Sequence, residues 1–372
     1  MKKLPKATDS LLTRDDFRES VFARDGGKCV ICVRDTKLAL KHPELAHKQL
    51  WPYNDPSDGL HMHAQDAHHI LERRLFGTGG YYLSNGASLC GRHHIMAEKT
   101  TLSVEEIRAA AGIVAPALPD HFYPDEQYDK WGNTVLANGQ RTKGELFHDE
   151  SVQKILKQGG VMGLFTDYVK YPRTLHFPWS PGATDDDRIH HDLSAFEGQE
   201  VVMTEKMDGE NTSLYSDYYH ARSLDSNSHP TQSWARAFHA RMAYNIPAGW
   251  RVCAENLYAK HSIGYDNLDS FLLVFSIWNE QNRCISWDDT VEYCNLLDLK
   301  HVPVIYRGTW DEKWIRSYPL RDGMEGYVIR LARSFDFAEF RKVVGKYVRA
   351  NHVQTTHHWK SQMVQPNRLK DA

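Results

Sequence analysis

Lys206 stands in the heptapeptide Glu205-Lys206-Met207-Asp208-Gly209-Glu210-Asn211, between an apolar run, Val201 to Thr204, and a second β-type run, Thr212 to Tyr215. A lysine beside a tight Asp-Gly turn is held at a sheet margin. Its amine is a nucleophile only when uncharged, so burial, cationic neighbours or a bound metal must depress its pKa from about 10.4. The same residues would serve a plain hairpin, in which Asp-Gly merely turns the chain. The second chemistry-bearing group lies upstream. Cys29-Val-Ile-Cys32 and Cys90-Gly-Arg-His93 are two knuckles whose spacing lets two side chains each converge on one tetrahedral ion, and a Cys3His zinc site is the economical reading. Between and just beyond them lie His68-His69, Asn85 and His94, in a chain of 21 histidines with four adjacent pairs. Such clustering is a reason to look for metal.

The elements that must position these residues can be read from the pattern. β-type runs predict strands at 200–205, 250–257, 271–278, 302–306, 326–331 and 343–348. Helical spacing of Trp234, Ala237, Phe238 and Met242 predicts a helix over 233–243, and Ser286 followed by Asp288 and Asp289 opens another over 286–297. The second half is expected to be α+β with a mainly antiparallel sheet. A stretch with Pro119, Pro124, Gly132, Asn133, Gly139 and Gly144 lacks periodicity and is expected as connector. The predicted division is a zinc domain at 1–117, the connector at 118–166, a second domain at 167–360 and a polar tail at 361–372.

Composition bounds the partners. With 372 residues, 41% of them hydrophobic and 25% charged, the chain has the makeup of a globular protein rather than a disordered or fibrous one. A formal charge of −3 gives no global field for nucleic acid, so a basic surface must be local. Arg73, Arg74, Arg92 and Lys99 near the cluster suit phosphate contacts or an ordinary surface equally. Six scattered cysteines and no signal-peptide-like start suggest a reducing, cytoplasmic setting. The longest apolar run, Phe271 to Trp278, is too short to span a bilayer, so no membrane partner is expected.

The order of the motifs downstream of Lys206 decides between hairpin and nucleophile. Arg222 stands in His-Ala-Arg-Ser, Glu255 in Ala-Glu-Asn, Phe275 in Val-Phe-Ser-Ile, Glu325 in Glu-Gly-Tyr-Val-Ile-Arg and Lys346 in Lys-Tyr-Val-Arg. In that order these motifs resemble the covalent nucleotidyltransferase superfamily of ATP-dependent ligases and capping enzymes. Asn211, two residues after Asp-Gly, and the Lys346 to Val353 segment resemble RNA ligases in particular. The resemblance covers roughly residues 167 to 360 and implies an antiparallel-sheet adenylation domain. It implies that Lys206 attacks the α-phosphorus of ATP and holds AMP as a phosphoramidate. Lys346, with Arg222 and Arg349, would neutralise phosphate charge; Glu255 would meet the ribose; Glu325 would bind Mg²⁺ or Mn²⁺. Phe275 would stack on adenine, unless it is plain core, and Glu205, Asp208, Gly209 and Asn211 complete the nucleotide-binding set. AMP would then pass to a 5′-phosphate, and a 3′-hydroxyl would displace it, making RNA, nicked duplex or an RNA–DNA hybrid the partner.

The N-terminal set resembles HNH endonucleases of the ββα-metal type. That resemblance implies Zn²⁺ on Cys29, Cys32, Cys90 and His93, with His94 able to exchange roles with His93. It also implies a catalytic divalent ion on His68 and His94, His69 as general base and Asn85 fixing the loop, within the metal set. A domain that keeps the zinc fold and binds nucleic acid without cutting it fits the same residues. Almost nothing comes after Lys360, so this domain is the expected grip on nucleic acid. The alternatives are a nuclease with an accessory ligase half, or a nucleotidyltransferase acting on nicked DNA. Oligomeric state is not written in the sequence.

Overall fold

The computed structural model describes residues 9–42, 63–184, 187–224, 229–350 and 364–370. Two compact units divide at residues 169 and 170. Among the described residues no helix is long and apolar enough to cross a membrane.

In the first unit, helix α1 (Arg14–Asp25) is capped by Thr13, whose side chain accepts from the Asp16 amide, and it ends at Gly26 in the left-handed region. Gly27 is left-handed too, at φ 66°, and the double reversal delivers the chain to Cys29, the N-cap of α2 (Val30–Lys41). Strands β1 (Asp66–His69) and β2 (Gly86–Leu89) pair antiparallel, with His69 opposite Gly86. A side chain at Gly86 would meet Val21 at 2.4 Å, so only glycine lets α1 lie directly on the hairpin. Helix α3 (Gly91–Glu98) starts from Cys90 as N-cap. Helix α4 (Val104–Ala110) comes next, with a Ser103/Glu106 capping box. Val30, Ile31, Ile70, Leu71, Leu89 and Ile107 form the core that carries the hairpin and helices.

The stretch expected as a connector folds. It holds the hairpin β3 (Gln127–Tyr128) and β4 (Thr134–Val135) and helix α5 (Glu150–Gln158). Its Trp131, Phe147, Val152, Leu156 and Val161 make a core of their own, while Phe122 and Tyr128 join the first. Buried Asp129 accepts from Asn133 and pairs with Arg141 at 3.1 Å. Its aromatic anchors are separated by turns rather than spaced by any period, which is why the pattern hides them.

The second unit contains two sheets. Its strands are β5 (Leu175–His176), β6 (Glu200–Lys206), β7 (Glu210–Leu214), β8 (Tyr219–Ala221), β9 (Arg251–Asn256), β10 (Leu272–Trp278), β11 (Arg283–Cys284) and β12 (Lys300–His301), then β13 (Val304–Thr309), β14 (Gly326–Leu331), β15 (Phe335–Asp336) and β16 (Val344–Val348). Sheet one has the order β13-β6-β14-β16-β5; sheet two has β15-β11-β10-β9-β7-β8, with β12 alongside β10. All these pairings are antiparallel except β10 with β12 and β16 with β5. Helices α6 (Ser233–Met242) and α7 (Trp287–Leu296) lie where periodicity places them, the latter capped by Ser286. Short helices α8 (Glu312–Ser317) and α9 (Phe340–Val343) complete the unit.

Val202 and Met207 from sheet one pack with Leu257, Leu273 and Trp287 in one buried cluster. Alternation therefore turns Thr204 and Lys206 toward sheet two, and Glu255, directly opposite Leu273, toward sheet one. Of the expected tail, 361–363 and 371–372 lie outside the described residues, and 364–370 is no loose end. Pro366 bridges Ala259, and the buried Asn367 side chain donates to the Leu257 carbonyl and accepts from the Tyr265 amide.

Candidate functional site

Register builds the first site. Lys206, the last residue of β6, lies opposite Gly326, the first of β14, so Glu325 stands beside it. The Lys206 ammonium donates to Glu325 Oε1 at 2.5 Å, with the lysine side chain 24% and the glutamate side chain 5% exposed. A Cβ at Gly326 would come within 1.9 Å of the Tyr347 carbonyl, so glycine is what lets β14 and β16 close here. Strand β16 places Lys346 opposite Val328, on the same face as Lys206.

The charges oppose the expectation of an amine poised uncharged. Burial disfavours the Lys206 ammonium, but Glu325 and Glu255 outweigh it, and the pKa rises above the ordinary lysine value. Lys346 behaves the other way. Burial first, then the Lys206 and Arg222 charges, bring it down to about 8, with Asp187 at 3.9 Å opposing. Burial and the neighbouring Glu325 push the Glu255 carboxyl up to about 8 against the pull of Lys206. Glu325 is balanced by the Lys206 ammonium, and Glu255 holds a proton that a bound dication would displace. An all-oxygen, acidic donor set fits a hard divalent cation such as Mg²⁺ or Mn²⁺. Glu325 and Glu255 are the residues to hold it, and bound there it would supply charge neutralisation for a polyphosphate.

The remaining expected nucleotide residues divide. Gly209 donates its amide to Glu255 Oε1 at 3.1 Å, and a side chain there would meet the Asn256 carbonyl at 2.6 Å. Asn211 lies opposite Glu255, and its Oδ1 is buried with no hydrogen-bond partner among the described residues. Arg349 ties its amide to the Glu325 carbonyl at 3.0 Å, while its Nε is buried with no hydrogen-bond partner among the described residues. Arg222 is exposed just past β8, near enough to Lys346 to depress its pKa.

Three residues have structural partners as well. Asp208 accepts from the amides of Ser262 and Ile263, at 2.8 and 2.7 Å, and so pins a loop. Glu205 pairs with Arg321 at 2.9 Å, and its amide donates to the Pro303 carbonyl. Phe275 is half-buried, edge-on to Tyr171 at 5.1 Å and packed against two core clusters, the core role weighed for it beside adenine stacking. Sequence reasoning missed Asp187. Its carboxylate, held well below the usual range first by a hydrogen bond from His176, faces Lys346, yet in sequence it ends an acidic run that reads as solvated surface.

The second site belongs to the first unit. Cys29, Cys32, Cys90 and His93 are all buried, with their ligand atoms within 4.8 Å of one another. The three sulfurs lie 3.3, 3.4 and 3.3 Å from His93 Nδ1. Sulfur and nitrogen ligands of one tetrahedral zinc stand roughly 3.5–3.8 Å apart, so the donors fit that ion. The helix sends the two histidines to different clusters. Cys90 caps α3, His93 sits one turn in beside it, and His94 is rotated about 100° away.

His94 instead joins His68 and Glu98. Glu98 Oε1 is 3.6 Å from His68 Nδ1 and 3.7 Å from His94 Nε2. Both His68 ring nitrogens and His94 Nδ1 are buried with no hydrogen-bond partners among the described residues. Burial, with Lys130 nearby, holds the His68 imidazole neutral, the form that ligates. Asn85 is not a ligand. Its amide group donates to the Leu71 and Gly80 carbonyls at 3.1 Å each and accepts from the Leu71 amide at 2.9 Å, so it fixes the loop. His69 stacks on Phe17 at 4.5 Å, with its pKa brought down to about 4 by burial and Lys130, and its Nε2 is buried with no partner among the described residues. Two residues were missed here. Glu98 is one turn after His94, a spacing that could have revealed it; Lys130 comes from the expected connector and donates to the His69 carbonyl at 2.8 Å, 3.1 Å from Glu98. These residues line a cleft of about 630 Å³ with Arg14, Arg18 and Arg73. Arg74 is instead committed to Asp149 at 2.8 Å.

An RNA ligase family model matches residues 199–348. No curated protein matches the chain. Among solved structures, a Naegleria gruberi RNA ligase variant with ATP and Mn aligns at 15% identity and TM-score 0.36, covering 50% of this chain and 57% of that one. Another, with AMP and Mn, aligns at 14% identity and TM-score 0.36, covering 50% and 56%. An Aquifex aeolicus chain named as a candidate ATP-dependent DNA ligase aligns at 22% identity and TM-score 0.34, covering 49% and 50%. The chain thus spans only about half the length of these solved chains.

Proposed function

We propose that the second unit is the nucleotidyltransferase of an ATP-dependent RNA ligase. The observation that carries this is the meeting of Lys206, Glu325, Glu255 and Lys346, contributed from within or beside separate strands of the two sheets. A lysine–phosphorus bond forms at the α-phosphate of ATP as the bond to pyrophosphate breaks. The proton leaving Nζ has Glu325 in contact to take it. Lys346 and the side chain of Arg349 meet the phosphate charge, and a preorganised charge of this kind is typically worth about 3 kcal/mol. The held AMP then passes to a 5′-phosphate, and a 3′-hydroxyl displaces it to leave a phosphodiester. Incubation with α-labelled ATP and Mg²⁺ or Mn²⁺ should leave label on the protein, and Lys206→Ala should remove it. Metal-replete, AMP-free protein that stays unlabelled would overturn the reading. Competition between nicked RNA and nicked DNA separates RNA ligation from its DNA alternative.

A second reading concerns the first unit. Cys29, Cys32, Cys90 and His93 hold zinc as a staple, and the unit acts on nucleic acid as an HNH-like metal-dependent nuclease. What favours this is His69, neutral and with its Nε2 unpaired among the described residues, beside His68, His94 and Glu98 in a cleft lined by Arg14, Arg18 and Arg73 and equally by Asp15, Asp66 and Glu72. Divalent-metal-dependent nicking should vanish in His69→Ala and survive Lys206→Ala. Binding without nicking in the wild type would make the unit a nucleic-acid grip alone.

A further inference from the structure

We infer that Asp187 is a positioning residue for the proposed nucleotidyl transfer: held by His176 and Thr184, it anchors the Lys346 ammonium for the phosphates of a nucleoside triphosphate. The ligand rests on the reading of the second unit given above; the anchor rests on geometry. Asp187 belongs to none of the motifs that single out Lys346, and it lies upstream of Lys206. Its carboxylate nonetheless comes within 3.9 Å of the Lys346 ammonium.

The carboxylate is held from β16 itself. Strand β5 lies alongside β16 with His176 opposite Lys346, and the Phe177 amide donates to the Lys346 carbonyl at 2.8 Å. At the end of β16 the Val348 amide donates to Ser180 Oγ at 2.9 Å, and Ser180 Oγ lies 2.8 Å from His176 Nδ1. With the hydroxyl donating to Nδ1, the ring hydrogen is on Nε2 and points at Asp187 Oδ1, 3.3 Å away. Oδ2 accepts from both the amide and the hydroxyl of Thr184, at 3.0 Å each. His176 is 2% exposed and Ser180 7%, so this relay is shielded from water. The strand that carries Lys346 thus fixes, through Ser180 and His176, the acid that faces it. The surrounding charges give that acid its task. Burial disfavours the Lys346 ammonium and Lys206 on β6 and Arg222 beyond β8 repel it, while Asp187 and, beside β14, Glu325 oppose them. Glu325 is already in contact with Lys206, whereas Asp187 faces Lys346. An ammonium kept charged and in place meets a phosphate without reorganising.

The test uses the full chain carrying ¹³C-labelled lysine, with the Lys346 side-chain resonance assigned by its loss in Lys346→Arg. That resonance is expected to titrate near pH 8 in the wild type and roughly one pH unit lower in Asp187→Asn, as removal of an opposite charge at this distance allows. Asp187→Glu, which keeps the charge, should fall between the two. Asp192→Asn, in the same segment at a carboxylate that accepts from Ser194, should leave the titration unmoved. Labelling from α-labelled ATP supplies the second readout. The rate of Asp187→Asn relative to wild type should drop about 5-fold between pH 6.5 and 8.5, whereas a merely structural defect would lower the rate alike at both. An unchanged Lys346 titration in Asp187→Asn, or equal shifts in the Asn and Glu variants, overturns the anchor; a flat rate ratio overturns its part in the transfer. The Asp187 side chain is 33% exposed, so Asp187→Asn is expected to fold, with melting temperature as control. If it does not, Asp187→Glu is read in its place, and a wild-type titration and rate ratio there overturn the anchor. If Lys206 takes no label while the Lys346 titration moves as expected, the ligase reading falls and the anchor stands; the converse result keeps the ligase reading and removes the anchor.

Discussion

At the scale of single residues, the second unit is organised by charges that burial has made expensive to leave alone. Lys206 is held as an ammonium by Glu325, so the proposed nucleotidyl transfer would have to begin by breaking that pair. Glu255 is the other side of the same balance, and its elevated pKa has a measurable consequence. The folded carboxyl, at about 8, binds a proton more readily than the unfolded one across the interval from the ordinary glutamate value up to about pH 8. Stability contributed by that proton is present at low pH and is lost as pH rises through the interval. Denaturant unfolding of the metal-free protein should therefore show a decline in stability from pH 5 to 8, flattened in Glu255→Gln, and a parallel slope in the variant would refute the assignment.

At the scale of elements, strand register does what no local motif can. The pairing of β6 with β14 puts a carboxylate 119 positions downstream in contact with the lysine, and it depends on Gly326. With the Tyr347 carbonyl in the way of any side chain, Gly326→Ala must separate β14 from β16, at a cost typical of overpacking, about 1–3 kcal/mol or more. The same displacement moves Glu325 away from Lys206. The variant should fold with a lowered melting temperature yet take up label from α-labelled ATP at least roughly 100-fold more slowly, as misplacement by an ångström allows. Normal labelling in a destabilised variant would show that the register is structural only. Helix α3 illustrates the same point in the first unit, since one turn of helix sends adjacent histidines to different clusters.

At the scale of the whole molecule, the chain carries two units with separate cores, and zinc is expected to support one of them. Chelation should raise amide exchange across α2, the β1–β2 hairpin and α3, and leave β6, β14 and β16 protected. Equal deprotection of both sets, or none in the first, would count against the zinc staple. Part of this is legible in the sequence: motif order picks out Lys206, Glu325 and Lys346, spacing the two knuckles, and alternation the strands of the second unit, because these signals are local, and the structure brings each group together. Where sequence alone falls short, the cause is consistent. Lys130, Asp187 and the aromatic core of 118–166 carry no period, and Asp208 and Glu205 match a nucleotide-binding motif while their side chains go to Ser262, Ile263 and Arg321. By itself, then, the sequence determined which residue types were available for covalent nucleotide chemistry and for metal, and roughly which segments were strands and helices. Only tertiary structure decided which histidine joins which side-chain cluster and whether the lysine is charged, because both depend on burial and on partners brought together from distant parts of the chain.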